Sequence, residues 1–344
     1  MSQRRAPPPS ASEAMTPPPD AAVARFAGDV VRLLAQAHGH NMCDPLLALA
    51  VSGGPDSMAM LALAAAAFPG RVIAATFDHG LRAGSADEAA MVAAACDGLA
   101  VPHATLRTDA PITGSSIQMR AREARYVALG AWARGADATA LLTAHHADDQ
   151  AETLLMRLNR ASGLPGLAGI RPWRWDHGVA AIRPLLDWRR ADLRAIAQGC
   201  GMPFVDDPSN DDARHDRTRM RALLAATPGL DVAALAASAT YLADAELAVS
   251  RLAELLWSER WRGPDRGLSL DDQPRELRRR LLRRAVLETR AAAAIVLPAF
   301  SDAANVEPLL DSLERGQGAV QGGVKVTPTR AGWTFAPAPP RRSA

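Results

Sequence analysis

The residues with the most chemical content in this 344-residue chain are Ser52-Gly53-Gly54-Pro55-Asp56-Ser57. They follow an apolar run, Leu46–Val51, and open an alanine- and leucine-rich segment with a helical pattern. A strand that turns through two glycines into a helix leaves backbone N–H groups free at the positive end of a dipole, which suits a bound phosphate. Gly-Gly alone reads as an ordinary tight turn, with Asp56 and Ser57 as first-turn capping residues. All six positions fit the strand-turn-helix context, and that favours the phosphate loop. Pro55 suits the first turn of a helix, where its missing N–H costs nothing. A Walker loop ends in Gly-Lys-Ser/Thr, and no lysine stands here. Backbone amides, the Ser52 and Ser57 hydroxyls and a cation held by Asp56 must therefore meet the charge, which describes a grip on pyrophosphate.

A second set lies in Ala144-His145-His146-Ala147-Asp148-Asp149-Gln150-Ala151-Glu152-Thr153. His145, Asp149 and Glu152 are spaced four and three apart and share one face if a helix begins this early. Asp149 can join Asp56 on a magnesium ion, which takes few protein carboxylates and several phosphate oxygens. His145 can meet a phosphate or a developing charge. Such acids also complement a helix dipole, and it is their place after a strand that argues for a site. Arg122 and Arg125, three apart on one helix face, can clamp a phosphate or a carboxylate. Asp78-His79-Gly80-Leu81-Arg82 follows another strand-like run. Two arginine groups, Arg214, Arg217, Arg219 and Arg221 after Asp206–Asp211, and Arg275, Arg278, Arg279, Arg280, Arg283 and Arg284, can hold a nucleic-acid backbone. The second, with its inward stripe Leu277, Leu281 and Ala285, reads more readily as a solvated amphipathic helix.

Positioning these residues requires strands at Leu46–Val51, Val72–Phe77, His103–Leu106 and Ala138–Thr143, with helices near 57–67, 85–98, 115–133 and 148–159. That alternation predicts an α/β fold with a doubly wound, mainly parallel sheet whose ligands sit at the strand carboxyl ends. Trp188–Gln198 reads as a helix and Pro203–Val205 as a short strand. The sheet domain is expected over 23–224, after a proline-rich disordered arm over 1–22. A smaller, mainly helical domain over 225–344 follows, with helices at Val232–Arg262 and Arg275–Arg290 and a hairpin in its short tail.

Composition adds bounds. Hydrophobic residues make up 48% of the chain and charged residues 22%, with a net charge of +2, so a nucleic-acid surface must be a local patch. Lys325 is the sole lysine. The longest uncharged apolar run, Met58–Pro69, is too short to cross a bilayer, and Arg4-Arg5 leads into prolines rather than an apolar signal. No membrane role and a cytoplasmic location are expected. Cys43, Cys96 and Cys200 form no Cys-x-x-Cys pair, which disfavours zinc, an iron–sulfur cluster and a disulfide framework.

Over roughly residues 46–222 these segments resemble the PP-loop ATP pyrophosphatases and, within them, the tRNA(Ile)-lysidine synthetase family. The resemblance is carried by Ser-Gly-Gly-Pro-Asp-Ser at 52–57, Asp-His-Gly-Leu-Arg at 78–82, Ala-Arg-Glu-Ala-Arg-Tyr at 121–126, the segment 144–153, Arg183-Pro184-Leu185-Leu186 and Asp207-Pro208-Ser209-Asn210. It implies ATP-dependent adenylation of the wobble cytidine of an isoleucine tRNA with a CAU anticodon, then attack by free L-lysine with release of AMP. It further implies ATP and Mg2+ as cofactors, Ser52 to Ser57 with His79 and Gly80 as nucleotide contacts, and Asp56 and Asp149 as magnesium-associated acids. His145 and Arg125 would contact the activated intermediate or ATP phosphates, and Glu152 would support the lysine site. A homodimer is compatible with it. The rival readings are a PP-loop tRNA thiolase, which needs cysteines that stand in no motif here, and a catalytically silent RNA-binding protein, against which Asp56, His145 and Asp149 speak.

Overall fold

The structure is a computed structural model that describes residues 15–78, 80, 84–108, 117–206 and 216–339. The chain forms two compact units, 1–243 and 244–344. In the first, α1 (Asp20–His38) precedes β1 (Leu47–Ala50), α2 (Pro55–Ala67), β2 (Val72–Asp78), α3 (Ser85–Gly98), β3 (His103–Arg107), α4 (Ile117–Gly135), β4 (Ala140–Leu142) and α5 (Ala147–Leu158). The short α6 (Leu164–Leu167), the β5 (Trp173–Asp176) and β6 (Val179–Ile182) hairpin, α7 (Arg190–Gly199) and α8 (Asp216–Ala226) follow.

The six strands lie in the order β3-β2-β1-β4-β6-β5, all parallel except β5, which pairs antiparallel with β6. The expected doubly wound sheet is thus present. Alternation along β1 sorts the core. Leu47 and Leu49 point into a cluster with α1, α2, α3 and α7, while Ala48 packs on the other side with Leu129 and Ala133 of α4. Each sheet face is therefore covered, which a parallel sheet requires.

Several elements depart from the sequence reading. α1 starts at Asp20, within the stretch expected to be a disordered arm, because Phe26, Val30, Leu33, Leu34 and Ala37 form a buried stripe at helical spacing. The β5–β6 hairpin turns through His177 and Gly178, both at positive φ, the pairing that a two-residue hairpin turn demands. Pro203–Val205 forms no strand; the Val205 N–H instead donates to the Gly53 carbonyl at 3.0 Å. The Asp207-Pro208-Ser209-Asn210 turn, Arg214, His79, Leu81 and Arg82 lie outside the described residues.

The division between units falls inside α9 (Val232–Arg260) rather than at 224/225. α9 is long and apolar enough to cross a membrane by length and composition, a feature the search for uncharged runs passes over. Its Ala253, Leu256 and Trp257 are spent on the core of the second unit. There α10 (Arg275–Ala292) and α11 (Glu307–Glu314) pack with a three-stranded antiparallel sheet of β7 (Ala319–Gln321), β8 (Val324–Thr329) and β9 (Gly332–Pro337). The expected hairpin is the β8–β9 pair, and Val324, Val326, Trp333 and Phe335 make it part of the core rather than a tail.

The arginines of α10 are bound within this unit. Arg275 meets Glu307, Asp311 and Glu314; Arg279 meets Glu276 and Glu307; Arg278 meets Glu314; and Arg284 meets Glu254. Arg280 pairs with the nearly buried Glu246, and Arg283 donates to the Ala304 carbonyl at 2.9 Å. This group stitches helices together rather than lying open along a nucleic-acid backbone.

Candidate active site

β1 leads onward to β2 on one side and is flanked by β4 on the other, so the crevice beyond their carboxyl ends is the topological switch point of the sheet. A cavity of about 310 Å³ lies there. Ser52, Gly54, Asp56 and Ser57 line it from the β1–α2 turn; Thr143, Ala144, His145 and Asp149 from the β4–α5 turn; Arg122, Arg125 and Tyr126 from α4; and Arg217 from α8.

The glycine loop is locked from within. Ser57 Oγ accepts from the Ser52 N–H at 3.1 Å and donates to the Gly54 carbonyl at 2.9 Å. Gly53 takes φ +81°, which side-chain-bearing residues rarely adopt, and a Cβ there would stand 3.3 Å from Met91 Cε. Gly54 caps α2 in extended conformation and Pro55 takes its first turn, so the free N–H groups that follow stand at the crevice.

Asp56 Oδ1 is buried and has no hydrogen-bond partner. A desolvated carboxylate oxygen is costly unless a cation or donor meets it. With Asp149 on the same crevice and two serine hydroxyls beside them, the donors are hard oxygens, and they fit a magnesium ion completed by phosphate oxygens. Among the described residues, no group of three or more His, Cys, Asp or Glu side chains could hold a metal by itself, so these two acids need the substrate's oxygens.

His145 stands before α5, which begins at Ala147, so it shares the crevice with Asp149 through the turn and not through a helix face. Its Nδ1 lies 2.9 Å from Thr143 Oγ1. Burial, reinforced by Arg183, Arg122 and Arg217 against the pull of Asp149, pushes its pKa down to about 3, so the ring is neutral at working pH. Glu152 does not line the crevice. It is 1% exposed and accepts from Arg221 Nε at 2.9 Å, with Arg217 Nε 3.8 Å from its other oxygen. It holds α8, and with it Arg217, against α5. Burial raises its pKa, Arg221 opposing.

The segment 144–153 contains structural residues that its spacing does not distinguish from the site. Asp148 accepts from Arg189 and from the Arg190 N–H at the start of α7, and Gln150 clamps Ile170 through both ends of its amide. His146 caps α5: its Nδ1 accepts from the Asp149 N–H at 3.3 Å while Asp149 Oδ2 accepts from the His146 N–H at 3.2 Å. Arg122 joins Arg125 on the cavity wall, and Arg125 Nε is buried without a hydrogen-bond partner. Three guanidiniums, of Arg122, Arg125 and Arg174, stand within 6 Å of the Tyr126 ring. Gly80 donates its N–H to Asp78 Oδ1 at 2.9 Å, an Asx-type turn at the end of β2. Ser85, then Gly80, then Arg107 hold the Asp78 carboxyl below its usual range, against its burial. Tyr126, Arg174 and Asp78 carry no motif signal that would single them out; their proximity comes from the fold.

Residues 29–227 match the family model described as a PP-loop domain. The chain is 44% identical over 306 residues to the tRNA(Ile)-lysidine synthase of Novosphingobium aromaticivorans, covering 86% of this chain and 90% of that one. It is 39% identical over 325 residues to the tRNA(Ile)-lysidine synthase of Zymomonas mobilis, covering 91% and 96%. The corresponding protein of Bradyrhizobium diazoefficiens is 38% identical over 314 residues, covering 83% and 82%. The glycine loop at the sheet's switch point, the paired acids beside it and these full-length matches together establish that the chain belongs to the PP-loop domain family and, within it, to the tRNA(Ile)-lysidine synthases.

Proposed function

We propose that this chain uses ATP to adenylate the wobble cytidine of an isoleucine tRNA with a CAU anticodon and then joins free L-lysine to it, making lysidine and releasing AMP and pyrophosphate. The observation that carries the reading is the convergence of Asp56, Asp149, His145, Arg122 and Arg125 on one crevice beside a pyrophosphate-type loop. In the first step the cytosine C2 oxygen bonds to the α-phosphorus and the bond to the bridging α–β oxygen breaks. The Ser52–Ser57 loop and the N-terminal amides of α2 bind the departing pyrophosphate, where negative charge accumulates. Mg2+, held by Asp56 and Asp149, supplies charge neutralisation on the phosphates when bound. Arg122 and Arg125 face the crevice as cations for the transferred group.

In the second step the lysine amine attacks C2, the C2–O bond breaks and the oxygen leaves with AMP, while the amine gives up a proton. His145, neutral and braced by Thr143, contacts the adenylated base as a hydrogen-bonding group rather than a charge. Glu152 supports the lysine site by fixing Arg217 and Arg221. His79 and Gly80, following β2, complete the nucleotide contacts. The thiolase alternative draws no support from the cysteines: Cys43 is exposed, Cys96 and Cys200 are buried, none lines the crevice, and burial pushes the Cys96 thiol up to about 12. Incubation with ATP, lysine and the tRNA should release AMP and pyrophosphate only when all three are present. Nucleoside mass spectrometry of the product tRNA should find lysidine, and unmodified cytidine in an incubation that consumes ATP would refute the assignment.

A further inference from the structure

His146 does more than cap a helix. The cap uses Nδ1 as an acceptor for the Asp149 amide, which leaves the ring proton on Nε2. Nε2 stands 3.4 Å from Asp56 Oδ2 and 3.7 Å from Asp149 Oδ2, and the side chain is only 4% exposed. One imidazole thus touches the glycine-loop helix through one nitrogen and the start of α5 through the other. Serine, threonine, aspartate and asparagine cap helices better than histidine and are shorter. A histidine at this position adds reach from the cap to Asp56.

We infer that His146 is a positioning residue: its Nε2–H holds Asp56 Oδ2 and so aims the unpartnered Oδ1 at the cation that Asp56 and Asp149 share. The inference rests on the ATP and magnesium reading of the crevice. It assigns the two histidines separate duties, His145 facing the reacting groups and His146 standing behind the acids. Groups that orient ligating carboxylates typically govern metal affinity about 10- to 100-fold.

Two substitutions separate the duties. His146→Asn keeps an acceptor at the Nδ1 position, and asparagine is a strong cap, but it cannot reach Asp56. His146→Gln extends an amide toward Asp56 and gives up the cap. The readout is calorimetric binding of the non-cleavable analogue α,β-methylene-ATP at increasing Mg2+, with thermal unfolding alongside. His146→Asn should need about 10- to 100-fold more Mg2+ for half-maximal binding, with its thermal midpoint near that of the wild type. His146→Gln should bind at nearly wild-type Mg2+ while melting lower. Wild-type Mg2+ dependence in His146→Asn overturns the inference, as does a shift in both variants that follows their loss of stability. Binding of the analogue by the wild type without Mg2+ overturns the underlying reading instead, and this is seen before any variant is made.

Discussion

At Asp56 a buried carboxylate oxygen lacks a partner, an arrangement that lowers stability and is retained where a cation is to be bound. Asp56→Asn removes the charge and keeps the size. AMP formation should fall by at least about 100-fold while the thermal midpoint holds or rises, measured by pyrophosphate release and calorimetry. His145 allows a test by pH. Its pKa in the fold, about 3, lies below the ordinary histidine value of 6.5, so between the two the unfolded chain binds a proton that the folded chain does not. Stability therefore rises with pH across that window. His145→Gln should flatten the slope of thermal midpoint against pH between 4 and 6.5 and leave it unchanged above 7.

At the scale of elements, the junction of α5 and α8 is decided by one side chain. Glu152 is buried and binds Arg221, with Arg217 close by, and removing one member of such a pair typically costs about 2–4 kcal/mol. Glu152→Ala should release α8 and withdraw Arg217 from the crevice wall. Amide exchange over 216–226 should speed up, whereas exchange in β1 and α2 should not change. The spacing of Glu152 from Asp149 is legible in the sequence, but its direction is not: three residues along a helix rotate a side chain about 300°, enough to take Glu152 toward α8 while Asp149 faces the crevice.

Over the whole molecule, two units with separate cores divide the arginines between two uses. Those of α10 are tied to Glu246, Glu276, Glu307, Asp311 and Glu314, while Arg122 and Arg125 stand at the crevice. Glu246→Gln should destabilise the second unit by about 2–4 kcal/mol, through the uncompensated Arg280, without changing ATP-analogue binding. Arg275→Ala should lower stability while leaving the salt dependence of tRNA binding as it was. Filter binding at several salt concentrations checks this.

The sequence by itself determined the glycine loop, the parallel αβ order, the acids after β4 and the family, because these follow from local patterns: two-residue and 3.6-residue periods, turn glycines and contiguous motifs. It also gave the strands and helices of the first four βα units to within a few residues. Only the tertiary structure decided which residues of 144–153 face the crevice and which brace the fold. Asp148 and Asp149 are neighbours of one residue type, yet one holds α7 and the other the candidate cation site. The same holds for the adjacent histidines, and for arginines that spacing alone left open to nucleic acid. Partners for a charged side chain come from elements distant in the chain, Arg217 from α8 for Glu152 and Glu246 from α9 for Arg280, and no local spacing encodes that meeting.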